Sequence, residues 1–344
     1  KIVGQLLTAI EQRASFSSED WLIVIVGDHG GYGKSHGMWG GHATTVPMLI
    51  CGKQVQNGRI PGISYNFDAA ATALQHFNLY SEKLNLDGRP RCNIIAKENK
   101  LSLKDGLEAY FNFSEKQPEN LLENKISAKI YGAKTSSGSG PGAFAGGFLR
   151  IDGSEDNPGG MILQGSEQFA EPDKPALTFC LWVRVAANPP GGDPVIIGNK
   201  DWRDGKKPGF ILTSARKMES ASLPGVCLNY ARSGEIPRID MGPFDVEYDS
   251  WSFYAVTFSD EGVAYMYQGR DDGHLYWLCD RAEDAVLHSG MPWHLGQDGS
   301  GKYKFPFRGD IDDLALWSRA LSSKEIRAVY EAGRKGMELA DLLQ

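Results

Sequence analysis

The chain has 344 residues, 41% hydrophobic and 23% charged, proportions of a globular protein long enough for two cores. A net charge of −7 with no block of Lys or Arg argues against a nucleic-acid surface, and no apolar run reaches transmembrane length. The cysteines Cys51, Cys92, Cys180, Cys227 and Cys279 stand far apart in no CxxC pair, which argues against a disulfide framework and a zinc–cysteine module.

The chain opens on Lys1, not Met, directly in a helix-like pattern, which leads us to expect a cut N-terminus. Ile2, Val3, Leu6, Leu7 and Ile10 recur at helical spacing. Trp21 to Val26 is an unbroken apolar run, as for a strand covered on both faces, and Val46 to Ile50 is a second. Asp68 stands where an N-cap belongs, ahead of the alanine-rich stretch Ala69 to Leu74. This order predicts an α/β domain over residues 1–100. The polar stretch around residues 95–106 marks the boundary.

Residues 106–344 read as all-β. Clusters of Gly, Ser and Pro separate short alternating runs, the pattern of a two-sheet sandwich or jelly roll. In Leu177–Val185, Phe179, Leu181, Val183 and Val185 share one face, with Cys180, Trp182 and Arg184 on the other. Trp251–Gly269 reads as two strands joined by a Ser-Asp-Glu-Gly turn. Near the end, Ser322 and Glu325 form a capping box, Leu321 and Ile326 a hydrophobic staple, and Gly333 suits the C-cap of one short closing helix.

The loop "VIVGDHGGYGKSHG", Val24 to Gly37, invites two chemistries. A phosphate-binding loop needs glycine five positions before Gly33, where Asp28 stands, and a helix directly after it, where no helical pattern follows. Register and context both fail. A metal site fits better. Asp28 and His29 follow a buried strand at its carboxyl end, where open α/β sheets bind ligands. A carboxylate beside an imidazole suits zinc and similar divalent ions.

This loop, followed by "TTVPMLICGKQVQNGRI" and "NFDAAATALQHF", resembles the alkaline phosphatase superfamily, in its branch of sulfatase-like enzymes and type I phosphodiesterases. The resemblance spans roughly residues 1–80 and implies part of a doubly wound sheet. It implies that Asp28 and His29 bind one metal of a two-metal site, zinc first among divalent ions. It assigns the other metal to His36, with His42 as the alternative. Two such metals clamp the attacking and leaving oxygens of a phosphoryl or sulfuryl group. The nucleophile and remaining ligands of that family lie upstream of the matching region. The residues before Asp28 hold one aspartate, Asp20, and we expect this chain by itself not to complete the site.

The segments Gly106–Phe113, Gly146–Asn157, Leu177–Val185, Ile196–Phe210, Trp251–Phe258 and "FRGDIDDLALWSRALSSKEI" resemble the laminin-G-like, concanavalin A-like jelly roll. The resemblance implies a binding module on an exported, extracytoplasmic protein, whose partner is a glycan or another ligand of that compartment. Asp152, Asp310, Asp312 and Asp313 form a candidate structural calcium set, with turn-capping as the plainer role. Trp202, Trp277 and Trp293, with Tyr230 and Tyr276, are candidates for stacking on sugar rings, with core packing as the alternative. A glycosidase on this fold needs a strand bearing Glu-x-Asp-x-Glu, and no such triplet occurs.

Overall fold

The computed structural model describes residues 2–30, 46–53, 55–60, 64–84, 86–92, 102–116, 118–122, 126–138, 146–154, 158–169, 176–187, 192–216, 225–234, 237–303 and 305–343. They form two compact units, one ending at Cys92 and one starting at Ser102. Among the described residues no helix is long and apolar enough to cross a membrane.

The N-terminal unit is a small α/β region. Its elements are α1 (Ile2–Glu11), β1 (Leu22–Val26), β2 (Met48–Gly52) and α2 (Asp68–His76). The strands pair antiparallel, Leu22 opposite Gly52 and Val26 opposite Met48. Asp68 is the first residue of α2, with Phe67 in the cap position. Its buried carboxylate instead accepts hydrogen bonds from the backbone N–H groups of Tyr65 and Arg89, both at 2.9 Å, tying two loops to the helix start.

The C-terminal unit carries fifteen strands among the described residues. These are β3 (Leu107–Phe111), β4 (Ser127–Tyr131), β5 (Ala133–Ser137), β6 (Gly147–Asp152), β7 (Gly160–Gln164), β8 (Leu177–Val185), β9 (Val195–Gly198) and β10 (Phe210–Arg216). They continue as β11 (Gly225–Ala231), β12 (Arg238–Asp245), β13 (Trp251–Phe258), β14 (Val263–Gly269), β15 (Leu275–Arg281), β16 (Trp293–Leu295) and β17 (Arg308–Trp317). One sheet runs β12-β11-β10-β9-β16-β7-β4; the other runs β15-β14-β13-β8-β17-β6-β5, with β3 also paired to β17. Every described pairing is antiparallel.

The alternation predicted in β8 sets the layers. Phe179, Leu181, Val183 and Val185 enter the core between the sheets, with Phe210, Leu212, Leu228, Val256 and Trp293. Cys180 and Trp182 face outward, yet they are buried too. The closing helix α3 (Ser323–Arg334) lies on that outer face, where Ile326, Val329 and Tyr330 pack with Trp182, Phe253 and Tyr267. A short helix α4 (Leu339–Leu342) adds Leu339 to the same cluster. The Ser322–Glu325 capping box is present in both directions.

Gly333 does not end α3. It is buried inside the helix, and the C-cap is Lys335. The left-handed turn falls to Gly336, at φ +75°, whose N–H donates to the Gly333 carbonyl at 3.0 Å.

Candidate functional site

The sugar-stacking candidates separate sharply. Trp293 is 1% exposed and sits in the core with its ring 4.7 Å edge-on from Phe210. Tyr230 is fully buried and its hydroxyl donates to the Arg281 carbonyl at 2.6 Å. Trp202 is 8% exposed, in a small cluster with Val195 and Ile211 on the outer side of the seven-stranded sheet. Its backbone N–H donates to Asp298 at 2.9 Å. Beside it the Lys200 ammonium, also buried, lies 5.8 Å from the ring and donates to Asn229 at 2.7 Å. Burial lowers that amine to about 8.

Trp277 and Tyr276 are different: they are 49% and 41% exposed. Both stand on β15, which ends its sheet, and as neighbours in a strand they point to opposite faces. Trp277 lies opposite Tyr267, and its ring centre is 6.2 Å from that of Tyr265. Tyr265 in turn stacks on Tyr267 at 6.1 Å. The exposed Trp277 and half-buried Tyr265 thus lie side by side on the outer face, with Tyr267 buried next to them in the cluster that α3 covers. Tyr276 is braced separately, by the Arg270 guanidinium 5.1 Å over its ring and by a hydrogen bond from its hydroxyl to Asp272 at 3.0 Å. Tyr265 was not singled out by sequence, although its outward phase beside Tyr267 in β14 is the signal that finds it.

The four aspartates proposed for calcium do not share one setting. Asp152 is exposed, opposite Arg308. Asp310 accepts from Nε of Arg150 at 2.9 Å and from Nε of Arg184 at 2.8 Å. Asp312 and Asp313 lie where the β17–β8 register shifts, with Asp313 at φ +53°. Asp312 accepts from the Asp313 N–H at 2.8 Å, and Asp313 accepts from the Tyr110 hydroxyl. Burial is the main cause raising both carboxyls; Asp313 is pushed up to about 7. Among the described residues no group of three or more His, Cys, Asp or Glu is arranged to hold a metal.

In the N-terminal unit, Asp28 and His29 follow the end of β1 after one residue, Gly27. The Asp28 carboxylate accepts from the His29 N–H at 3.0 Å and lies 3.5 Å from His29 Nε2, while Nδ1 is 2.8 Å from the Gly30 carbonyl. Asn66 Nδ2 reaches the Asp28 carbonyl at 3.4 Å. His36 and His42 lie outside the described residues. A cavity of about 560 Å³ in this unit is lined by Trp21, Leu22, Val24, Ala73, His76 and Phe77, among others, and does not include the Asp28–His29 pair.

Residues 163–327 match the family model of the concanavalin A-like lectin/glucanases superfamily, of laminin G type. The C-terminal unit is a two-sheet antiparallel jelly roll, and this match falls within it. Nothing comparable supports an alkaline phosphatase or sulfatase domain at the N-terminus, and no curated protein matches the sequence. Among solved structures, the chain is similar to domain 4 of AbnA, a GH43 extracellular arabinanase from Geobacillus stearothermophilus solved with arabinotriose. Identity is 16%, with 65% of this chain and 98% of that one covered at a TM-score of 0.48. It is also similar to the binding domain of Paraclostridial Mosquitocidal Protein 1, at 13% identity over 66% of this chain and 52% of that one, TM-score 0.47. The receptor-binding domain of botulinum neurotoxin type G stands at 10% identity, 66% and 51% coverage, and TM-score 0.47. The match therefore spans about half the length of each of these two toxin domains.

Proposed function

We propose that the laminin-G-like unit is a carbohydrate-binding module of an exported protein, and that Trp277 with Tyr265 is its sugar-stacking surface. The observation that carries this reading is the exposure of Trp277 on an edge strand of an otherwise tightly packed aromatic layer. A half-exposed indole beside a tyrosine presents an apolar plane with polar edges, which suits the C–H face of a sugar ring. Isolated exposed apolar residues need no explanation, but a contiguous aromatic patch does. The family match to lectins and glucanases supports the same reading. The test is a panel of immobilised neutral oligosaccharides probed with the whole chain and with Trp277→Ala. Binding that disappears in the variant supports the proposal; a folded variant with an unchanged panel ends it.

A second reading concerns the N-terminal unit alone. We infer an ancestry in metal-dependent phosphodiesterases or sulfatases from the Asp28-His29 pair at the carboxyl end of β1, followed by the Asp68–His76 helix. Asp28 and His29 supply two of the donors a zinc ion needs, oxygen and nitrogen. Metal analysis after zinc loading tests the ancestry: zinc retained by the chain and released by Asp28→Ala supports it. Zinc binding that ignores the substitution refutes it.

A further inference from the structure

The outer face of the eight-stranded sheet carries a second feature, well away from Trp277. Strand register places Lys134 opposite Arg150, Arg150 opposite Asp310, Asp310 opposite Arg184, and Arg184 opposite Trp251. Residues paired in this way project from the same face. Their strand neighbours Leu149, Ile151, Val183 and Ile311 fill the core, so the row faces outward. Four inter-strand steps of ~4.8 Å give it a length of roughly 19 Å.

Three cations share this row with one carboxylate, Asp310. Asp310 is nearly buried and fully engaged: besides the two Nε contacts, Arg150 Nη2 lies 3.4 Å away and Arg184 Nη2 2.6 Å away. One guanidinium would neutralise it, so a purely structural ion pair accounts for half of the pair of arginines and not for Lys134. The contacts to Asp310 use Nε and Nη2 of each arginine, leaving Nη1 of both to donate elsewhere. The Arg150 and Arg184 side chains are 37% and 27% exposed. Both guanidiniums are also held against rings: Arg150 at 5.1 Å from Phe148, Arg184 at 5.4 Å from Phe148 and 5.0 Å from Trp251. A planar fork fixed by a carboxylate on one side and an aromatic face on another loses little further freedom when it grips an oxyanion.

We propose that this row binds the carboxylate or sulfate groups of an acidic polysaccharide. The choice of a saccharide rests on the carbohydrate reading above, while the site is separate from the Trp277 surface. A chain of net charge −7 has no long-range attraction for polyanions, so a local excess of positive charge must act at contact distance. Trp251 at the end of the row is half-buried, packed by Phe148 at 5.9 Å with the Arg184 guanidinium over its ring, and so holds that guanidinium in place rather than contacting the saccharide.

The test uses the whole chain, titrated calorimetrically with dextran sulfate, polygalacturonate, neutral dextran and duplex DNA at low and high salt. Dextran sulfate or polygalacturonate should bind, with affinity falling as salt rises. Arg150→Gln should lose about 10-fold or more, the worth of a charged hydrogen bond. Lys134→Gln, at an exposed position outside the Asp310 ion pairs, should also weaken binding and flatten its salt dependence; a purely structural ion pair predicts no effect of Lys134. The proposal is overturned if the folded variants bind like the parent, if duplex DNA binds as well as the acidic polysaccharides, or if only Trp277→Ala reduces their binding. Loss of neutral-sugar binding in Trp277→Ala, with acidic binding tracking Arg150, leaves both sites standing.

Discussion

Gly333 lies flat beneath Trp182: a Cβ at this glycine would come within 2.5 Å of the indole Nε1. Helix α3 therefore approaches the outer sheet face as closely as its backbone allows. Alanine at a helix interior normally adds up to ~1 kcal/mol over glycine. Here overpacking, at about 1–3 kcal/mol, should outweigh it. Gly333→Ala should lower the urea midpoint with an unchanged slope. A more stable Gly333→Ala protein would show that the helix sits farther from Trp182.

The buried pair at the β17 bulge makes stability depend on pH. Burial, with Glu338 adding to it, holds the Asp313 carboxyl at about 7 in the folded chain, against ~3.9 unfolded. Between these values the folded state keeps a proton that the unfolded state releases. This group's contribution therefore falls as pH rises from about 4 to about 7. Asp313→Asn should remove much of that fall, and Asp312, raised in the same direction, should retain the remainder. Chemical denaturation at pH 4.5, 6 and 7.5 reads the slope; identical slopes in parent and variant would contradict the assignment.

His294 contributes with the opposite sign. Burial depresses its imidazole to about 4 in the folded chain, against the upward pull of Asp298. The unfolded imidazole binds a proton near 6.5, so stability from this group is lost as pH falls through that window. Its ring Nδ1 is 3.3 Å from the Tyr131 hydroxyl. His294→Gln should leave the falling trend of Asp313 uncovered, whereas Asp313→Asn should leave the rising trend of His294. The same denaturation series separates them, and parallel curves for the two variants would refute the pair of assignments.

Much of the fold is readable from spacing. The alternation in β8 assigned its core face, the turn at Ser259–Gly262 joined β13 to β14, and the capping box started α3 where it is found. These are local signals, each resolved within a few residues. Burial of the second face of β8 was not readable, because α3 reaches Trp182 from a segment far along the chain. The same limit governs the site. Nothing local distinguishes Trp293, packed on Phe210, from Trp277, open at a sheet edge; only the strand order does. Asp310 looked like a calcium ligand because its arginine partners come from β6 and β8. Arg150 between Leu149 and Ile151, and Arg184 between Val183 and Val185, were visible as charges on the polar phase of apolar strands. Their convergence needed the register.

The most direct measurement is the affinity of the whole chain and of Trp277→Ala for whichever neutral oligosaccharide the panel selects, by isothermal titration. The account predicts at least about a 10-fold loss on removing the indole, ~1.4 kcal/mol, with an unchanged unfolding midpoint, because Trp277 is half-exposed and supports little of the core. Full affinity in a folded Trp277→Ala protein would contradict it.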